Sequence, residues 1–327
     1  MLTGKPAIEN EFRDFDRALS EIAPLIGSYN WAWVILRHRF RRHGGTGLPW
    51  RVYGLLRRLF NPAKPYFIGR TGDGVLYVGD VRDSYSVLCA INPRCEATMP
   101  RIVEEHLRSR VGSYLDLGAN MGLVAATVAM RLPERTVLAF EPIPDTARRA
   151  AATFALNKLT NVRLFQCGVG AACEDVEFSF STSDSAAASA NVSTYDSVVM
   201  RVPCVSLDSL LFSKTVDNVA VIKLDVEGNE LQAVRGGHKL LLLSQPDVIF
   251  EYHAEIASKL GWVAEDVMAE LRKVGQYRFK VLHWGDLVTE PPVSADESVN
   301  VVCECEDVVR QPQSAAPNEK TTPGNFP

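Results

Sequence analysis

Four apolar runs of the chain end in side chains that suit chemistry. In "YLDLGANMG", Asp116, Gly118, Asn120 and Gly122 recur at every second residue directly after a short apolar stretch. Glu141 closes the next run, in "VLAFEPIP". Asp225 and Glu227 follow a third, "VAVIKLDVEGNE", and Glu251 and His253 end a fourth, "DVIFEYH". A strand, a glycine-bearing turn and a helix start make a general nucleotide site, because glycine lets the backbone approach a ligand and the helix start offers free N–H groups. The pattern D-x-G-x-N-x-G is neither the dinucleotide pattern GxGxxG nor the phosphate loop GxxxxGK, so phosphate binding is disfavoured.

An acid two residues ahead of the first glycine suits a cationic or hydroxyl-bearing ligand. S-adenosylmethionine is one, with an α-ammonium group, a sulfonium, a ribose diol and no phosphate. Glu141 suits the diol, because a carboxylate accepts from two hydroxyls at once. The alternative for both acids is that they cap helices. Methyl transfer from a sulfonium needs an aligned acceptor, and a hydroxyl acceptor must also lose its proton. His253 is the first candidate base, since imidazole titrates near neutral pH; it equally suits the cap of the next helix or a bond to Glu251. Asp225 and Glu227 are the alternatives, as base or as acceptors for substrate hydroxyls, although Asp225 equally suits pairing with Lys223. Asp225, Glu227 and Glu251 could cluster around magnesium, but spacing alone does not bring them together, and no metal site is assigned. His38, His43, His106, His238 and His283 lack ligand spacing and read as surface or packing residues.

These residues need a scaffold. From Ser113 onward, strand-length apolar runs alternate with helical patterns, which predicts an α/β fold with a mostly parallel sheet of about seven strands. Upstream, Ile8, Phe12, Phe15, Leu19, Ile22 and Ile26 recur at helical spacing and predict one amphipathic helix up to Gly27. A second, basic helix is expected between Pro49 and Phe60. "YFIGR" and "GVLYVGD", joined by "TGDG", read as a β-hairpin. The small polar stretch Ser181 to Ser197 reads as a flexible loop, across which "VEFSF" and "VVMRVPCV" could pair. The expected organisation is a basic helical extension (1–62), a hairpin with a lead-in helix (63–110), a cofactor-binding domain (111–305) and a disordered tail (306–327).

The 327 residues are 46% apolar, enough for a sizeable core. Seven cysteines with neither CxxC pairing nor zinc-ligand spacing point to a reducing, cytoplasmic setting. The first residues lack the basic and apolar regions of a secretory leader, and "WAWVIL" is too short to span a bilayer. The net charge of −4 conceals a division: from Ile22 to Gly72 there are nine Lys and Arg and no acid. Such a block suits docking onto the acidic remainder, or attraction of phosphates, nucleic acid or an anionic membrane surface with peripheral contact there.

"YLDLGANMG", "AFEPIP", "LNKLTNV", "VSLDSL" and "VIKLDVEGNELQAVRGG", in this order, resemble the FkbM-type family of S-adenosylmethionine-dependent methyltransferases over roughly residues 92–305. The resemblance implies a class I methyltransferase fold, Rossmann-like, with seven strands, one antiparallel, and helices on both faces. It implies cofactor contacts at Asp116, Gly118, Asn120, Gly122 and Glu141, and O-methylation of a hydroxyl on a sugar, glycolipid or secondary metabolite. "QCGVG" lacks the acid that many class I methyltransferases present to adenine, which leaves backbone groups around Gly168 as its readers. The residues before 62 lie outside the shared pattern and inherit no role. The partners implied are a small molecule, a sugar or a lipid-linked glycan, with nucleic acid disfavoured. Two rivals stand beside this reading: N-methylation of a protein or nucleic acid, against which an "NPPY"-type sequence is absent after "VIKLD", and a non-catalytic protein of the same fold that binds a membrane or partner.

Overall fold

The apolar runs of the sequence become the centre of one large sheet. The computed structural model describes residues 10–43, 47–181, 197–283, 286–289 and 298–306. The chain opens with β1 (Glu11–Phe12), α1 (Phe15–Ile22), α2 (Asn30–His43) and α3 (Gly47–Leu56), then β2 (Tyr66–Arg70), β3 (Leu76–Asp80), α4 (Ser84–Ile91) and α5 (Thr98–Arg108). Next come β4 (Ser113–Leu117), α6 (Leu123–Arg131), β5 (Val137–Phe140), α7 (Pro144–Leu156) and β6 (Val162–Phe165). A detour of three strands, β7 (Gly168–Val169), β8 (Glu174–Ser181) and β9 (Ser197–Val205), leads to α8 (Leu207–Phe212) and β10 (Val219–Leu224). The chain continues through α9 (Glu230–Arg235), α10 (His238–Ser244), β11 (Asp247–Tyr252), α11 (Ala254–Leu260), α12 (Ala264–Arg272), β12 (Tyr277–His283), β13 (Asp286–Thr289) and β14 (Val299–Cys305).

The sheet order is β1-β6-β5-β4-β10-β11-β14-β12-β13. Strands β6, β5, β4, β10 and β11 are parallel, and β14 lies antiparallel between β11 and β12. This seven-stranded centre is the architecture expected of the sequence, extended at its edges by β1 and β13. Side chains alternate across it into two cores. One contains Leu115, Leu117, Ile222, Leu224 and Phe250 with Leu231, Leu240 and Val267 from α9, α10 and α12. The other contains Tyr114, Val221 and Ile249 with Val103, Ala125 and Phe154 from α5, α6 and α7. Helices therefore cover both faces, and every central strand is apolar on both sides. Strand order reverses between β4 and β10, so the carboxyl ends of these two strands open onto the crevice where an α/β sheet binds ligands.

The N-terminal segment departs from the expected single helix. Glu11 and Phe12 pair antiparallel with Phe165 and Leu164 and so cover the edge of β6. Asp14 then caps α1, accepting from the Arg17 N–H at 2.8 Å, and a 3₁₀ turn containing Pro24 follows the helix. Helical spacing of apolar residues cannot register a cap or a proline, and both cut the periodic stretch short. Helix α2 lay hidden because the run Trp31 to Leu36 suits a strand or a buried helix alike. The hairpin is as expected, and β8 pairs with β9 from Glu174↔Cys204 to Ser181↔Ser197. The expected flexible loop and disordered tail fall on residues 182–196 and 307–327, outside the described residues. Among the described residues no helix is long and apolar enough to cross a membrane.

Part of the basic segment docks onto the body. The Arg37 Nε–H donates to the Ala90 carbonyl at 2.7 Å, and the buried Arg149 of α7 donates to Asp83 and to Ser86 at 3.2 and 3.0 Å. At the start of β11, Asp247 is fully buried and faces His106 Nδ1 at 2.7 Å, accepts from Arg110 Nη1 at 2.7 Å and accepts from the Cys305 N–H at 2.8 Å. One carboxylate thus ties α5, β11 and β14 together. Truncating one partner of a buried ion pair strands the other charge. Asp247→Ala is expected to lower unfolding free energy by about 3–5 kcal/mol in urea titration, whereas Glu21→Ala, in an exposed pair with Arg17, should change it by less than about 1 kcal/mol.

Candidate active site

The alternation in "LGANMG" has a steric cause. Gly118 has φ +81°, and a Cβ there would lie 1.7 Å from the Asp225 carbonyl oxygen, because the loops after β4 and β10 run in contact. Gly122, at φ +83°, precedes α6 directly, with the Phe154 ring 2.7 Å from where its Cβ would be. Asn120 between them is also left-handed, at φ +49°. Its N–H donates to Glu141 Oε2 at 3.0 Å, while Glu141 Oε1 accepts from the Ile143 N–H at 2.9 Å. Glu141 therefore joins the two loops and caps the start of α7 as well as facing the crevice.

These residues meet in an open cleft. Gly118, Asn120, Glu141, Gly168, Asp225 and Glu227 all line it. Asp116 is fully buried beneath the loop, and Gly122 lies behind it; neither lines the cleft. The apolar wall is Phe140, Ile143 and Val169, completed by Val176 and Phe178 of β8 and Cys204 of β9. The two β8 residues were not singled out in the sequence, although alternation in "VEFSF" already puts them on one face.

Charge is concentrated at the end of β10. The Lys223 ammonium, buried, lies 2.9 Å from Asp225 Oδ2 and 3.5 Å from Asp116 Oδ1. Burial opposes its charge, but the two carboxylates outweigh it and hold its pKa above the usual range. Asp225 feels the opposite pull: burial would raise it, yet Lys223 and a hydrogen bond from Glu251 keep it below the usual carboxylate range. Glu251 is raised to about 9, first by the negative charge of Asp225 and then by burial, so it carries the proton the pair shares at neutral pH. Burial raises Asp116, against Lys223, and neither of its oxygens has a partner at hydrogen-bond geometry. Burial also pushes Glu141 up to about 7 despite its two backbone donors.

His253 lies outside the cleft lining. It is exposed, occupies the N-cap position of α11, and has Nδ1 3.2 Å from Ser298 Oγ. Glu227 sits on the rim in a turn at φ +51°, a turn held from within by Glu230, which accepts from the Val226 and Gly228 N–H groups at 3.0 Å. Glu251 was weighed in the sequence as a magnesium ligand or a partner of His253; its contact with Asp225 follows from the parallel register of β10 and β11, where Leu224 sits beside Phe250. Among the described residues no three His, Cys, Asp or Glu are placed to hold a metal ion.

The Methyltransferase FkbM domain family matches residues 116–279, about half of the chain, and the match begins at Asp116 itself. The chain belongs to the FkbM methyltransferase family. It is 33% identical over 144 residues to the hexuronic acid methyltransferase AglP of Haloferax volcanii, a stretch covering 44% of this chain and 57% of that protein. It is 26% identical over 141 residues to Methyltransferase 1 of Beauveria bassiana, covering 37% and 57%. The chain thus spans little more than half the length of both curated relatives. Among solved structures, an FkbM methyltransferase from Methylobacillus flagellatus is similar at 17% identity and a TM-score of 0.41, over 67% of this chain and 55% of that one. The N-terminal domain of EvdMO1, crystallised in the presence of SAH and D-fucose, is similar at 16% identity and a TM-score of 0.36, over 64% and 83%. S-adenosylmethionine is the family's cofactor.

Gly118→Ala is expected to destabilise the fold by about 2 kcal/mol or more, since both the left-handed backbone and the Asp225 carbonyl oppose a Cβ. Thermal unfolding should show a lowered midpoint, while Gly54→Ala, at a position with open space around its Cβ, should not.

Proposed function

We propose that this chain transfers a methyl group from S-adenosylmethionine to a hydroxyl of a sugar, a glycolipid or a secondary metabolite. The observation that carries the reading is the cleft itself: Glu141 and Asp225 face a space walled by apolar side chains and by the close-approach loop at Gly118. Among the described residues the cleft is lined by Glu141, Asp225 and Glu227 and by no Lys or Arg, which suits a positively charged ligand that has no phosphate. The name of AglP, a hexuronic acid methyltransferase, supports a sugar acceptor.

When bound, S-adenosylmethionine supplies an electrophilic methyl group on its sulfonium. Glu141 would take the ribose hydroxyls, and the backbone at Gly168 with Phe140, Val169 and Phe178 would enclose the adenine. Asp225, kept ionised by Lys223, accepts the hydrogen bond of the acceptor hydroxyl and orients its oxygen, and Glu227 on the rim binds a neighbouring hydroxyl. The geometry favours Asp225 over His253 as the proton acceptor, because Asp225 lines the cleft and the imidazole does not. The apolar wall excludes water from the reacting atoms.

Calorimetric titration with S-adenosylhomocysteine tests the cofactor half. A carboxylate accepts from both ribose hydroxyls only when ionised, so affinity should rise with pH through about 7 and level off above it. Glu141→Gln should bind about tenfold or more weakly and lose that pH dependence. No binding by the native chain would remove the reading. With an isotopically labelled methyl donor and a sugar-rich extract, one species should gain a labelled methyl group, and Asp225→Asn should slow that gain by about 10²–10⁴-fold.

The place of action is a separate proposal, peripheral attachment to an anionic membrane. Val34, Leu55 and Leu59 are 65–69% exposed, beside exposed Arg51 and Arg58. The Trp31 ring lies 6.0 Å from that of Phe60, which puts the start of α2 next to the turn after α3. Apolar side chains flanked by arginines suit the headgroup region. The chain should sediment with vesicles containing an anionic phospholipid and not with neutral ones, and Val34→Ser combined with Leu59→Ser should abolish the effect.

A further inference from the structure

Two cysteines lie on either side of the end of α4. Cys89 is on the helix, buried, and Cys95 follows in the turn after it, where its N–H donates to the carbonyl of the C-cap Asn92 at 2.9 Å. That turn folds the chain back along the helix. Tyr85 of α4 donates its hydroxyl to Glu96 Oε1 at 2.5 Å, and the Cys89 thiol is in hydrogen-bonding contact with that of Cys95. Tyr85 and Cys89 are four residues apart on the helix, and Cys95 and Glu96 are adjacent in the turn, so the two contacts are neighbouring rungs. Cys95, half-buried, packs against the same core that holds Cys89.

A third group faces the pair. Tyr77 of β3 is fully buried, and its hydroxyl has no hydrogen-bond partner among the described residues. It lies near enough to Cys89, Cys95 and Arg37 to feel their charges. A buried hydroxyl without an acceptor is costly, and a sulfur that has lost its proton is an acceptor. The contact with Cys95, and then burial, push the Cys89 thiol upward, so the resting pair is a dithiol. In a reducing setting a bond between such thiols is transient and redox-sensing rather than permanent.

We propose that Cys89 and Cys95 form a reversible disulfide by exchange with a low-molecular-weight disulfide such as oxidised glutathione, Cys95 attacking first and the Tyr77 hydroxyl donating to the Cys89 sulfur as Cys89 closes the bond. Cys95, the more exposed, loses its proton to solvent and attacks one sulfur of the small disulfide. The S–S bond of the reagent breaks, and one glutathione leaves as a thiolate and is protonated. Cys89 then loses its proton and attacks the Cys95 sulfur, which expels the second glutathione. Two electrons thus pass from the protein thiols to the reagent, which is released as two thiols. The bond ties α4 to its turn. Ser86 of the same helix donates to Met121 Sδ of the glycine loop at 3.5 Å, so oxidation makes the support behind that loop covalent.

The full chain is incubated with oxidised glutathione, its remaining thiols are blocked with N-ethylmaleimide, and a tryptic digest is read by mass spectrometry. Trypsin cuts after Arg82, Arg94 and Arg101, so the bond should join peptides 83–94 and 95–101, and dithiothreitol should separate them. Cys89→Ser should leave glutathione on Cys95, and Cys95→Ser should leave Cys89 unmodified. Tyr77→Phe, which removes only the hydroxyl, should slow closure about tenfold or more. The oxidised native chain should unfold about 2 °C or more above the reduced one. Exposed Cys173 takes up glutathione without a cross-link and shows that the reagent acts. Unjoined peptides in a chain modified at Cys173 overturn the proposal, whether or not any variant folds. So does equally fast joining in urea, which would mean that closeness in sequence alone makes the bond. A Tyr77→Phe chain that closes at the native rate overturns the role of the tyrosine.

Discussion

The site is organised around one buried ammonium. Asp116 and Asp225 leave adjacent parallel strands at the point where strand order reverses, and without a cation between them two carboxylates in so little solvent would repel and take up protons. Lys223, one residue into the same strand end, lies within 3.5 Å of both. Its charge keeps Asp225 ionised, and Asp225 in turn forces the proton of the pair onto Glu251. The protonation pattern of the cleft is therefore set by a side chain that does not line it.

Backbone geometry at the same point is equally constrained. The loop after β4 and the turn after β10 approach so closely that Gly118 has no room for a side chain, and Glu141 holds the first loop by the Asn120 N–H. Glu230 holds the second through two N–H groups, and Trp262 donates to the Gly228 carbonyl at 3.2 Å from outside. Each of the two loops is thus fastened by a buried glutamate. The N-terminal part joins this arrangement through Arg149, which reaches Asp83 and Ser86 and so anchors the start of α4.

Much of the fold could be read along the chain because the central strands are apolar on both faces and regularly spaced. Glycines at 118 and 122 announced a tight turn, and the acid at 141 announced a strand end. Less could be read where competing signals overlap. The apolar residues from Ile8 to Ile26 are spaced for a helix, yet Phe12 lies in an edge strand. Lys223 was seen as an internal pair, which it is, but its two partners come from different strands, and one of them lies more than a hundred residues away.

The order of the motifs alone determined the family, the parallel α/β architecture and the acids and glycines of the cleft, because those depend on local periodicity and on turn chemistry that neighbouring residues settle between themselves. Tertiary structure decided which acids share a proton, which residue lies beside the cleft rather than in it, and what walls it. Those depend on distances between strand ends that only packing sets: the register of β10 on β11 placed Glu251 against Asp225.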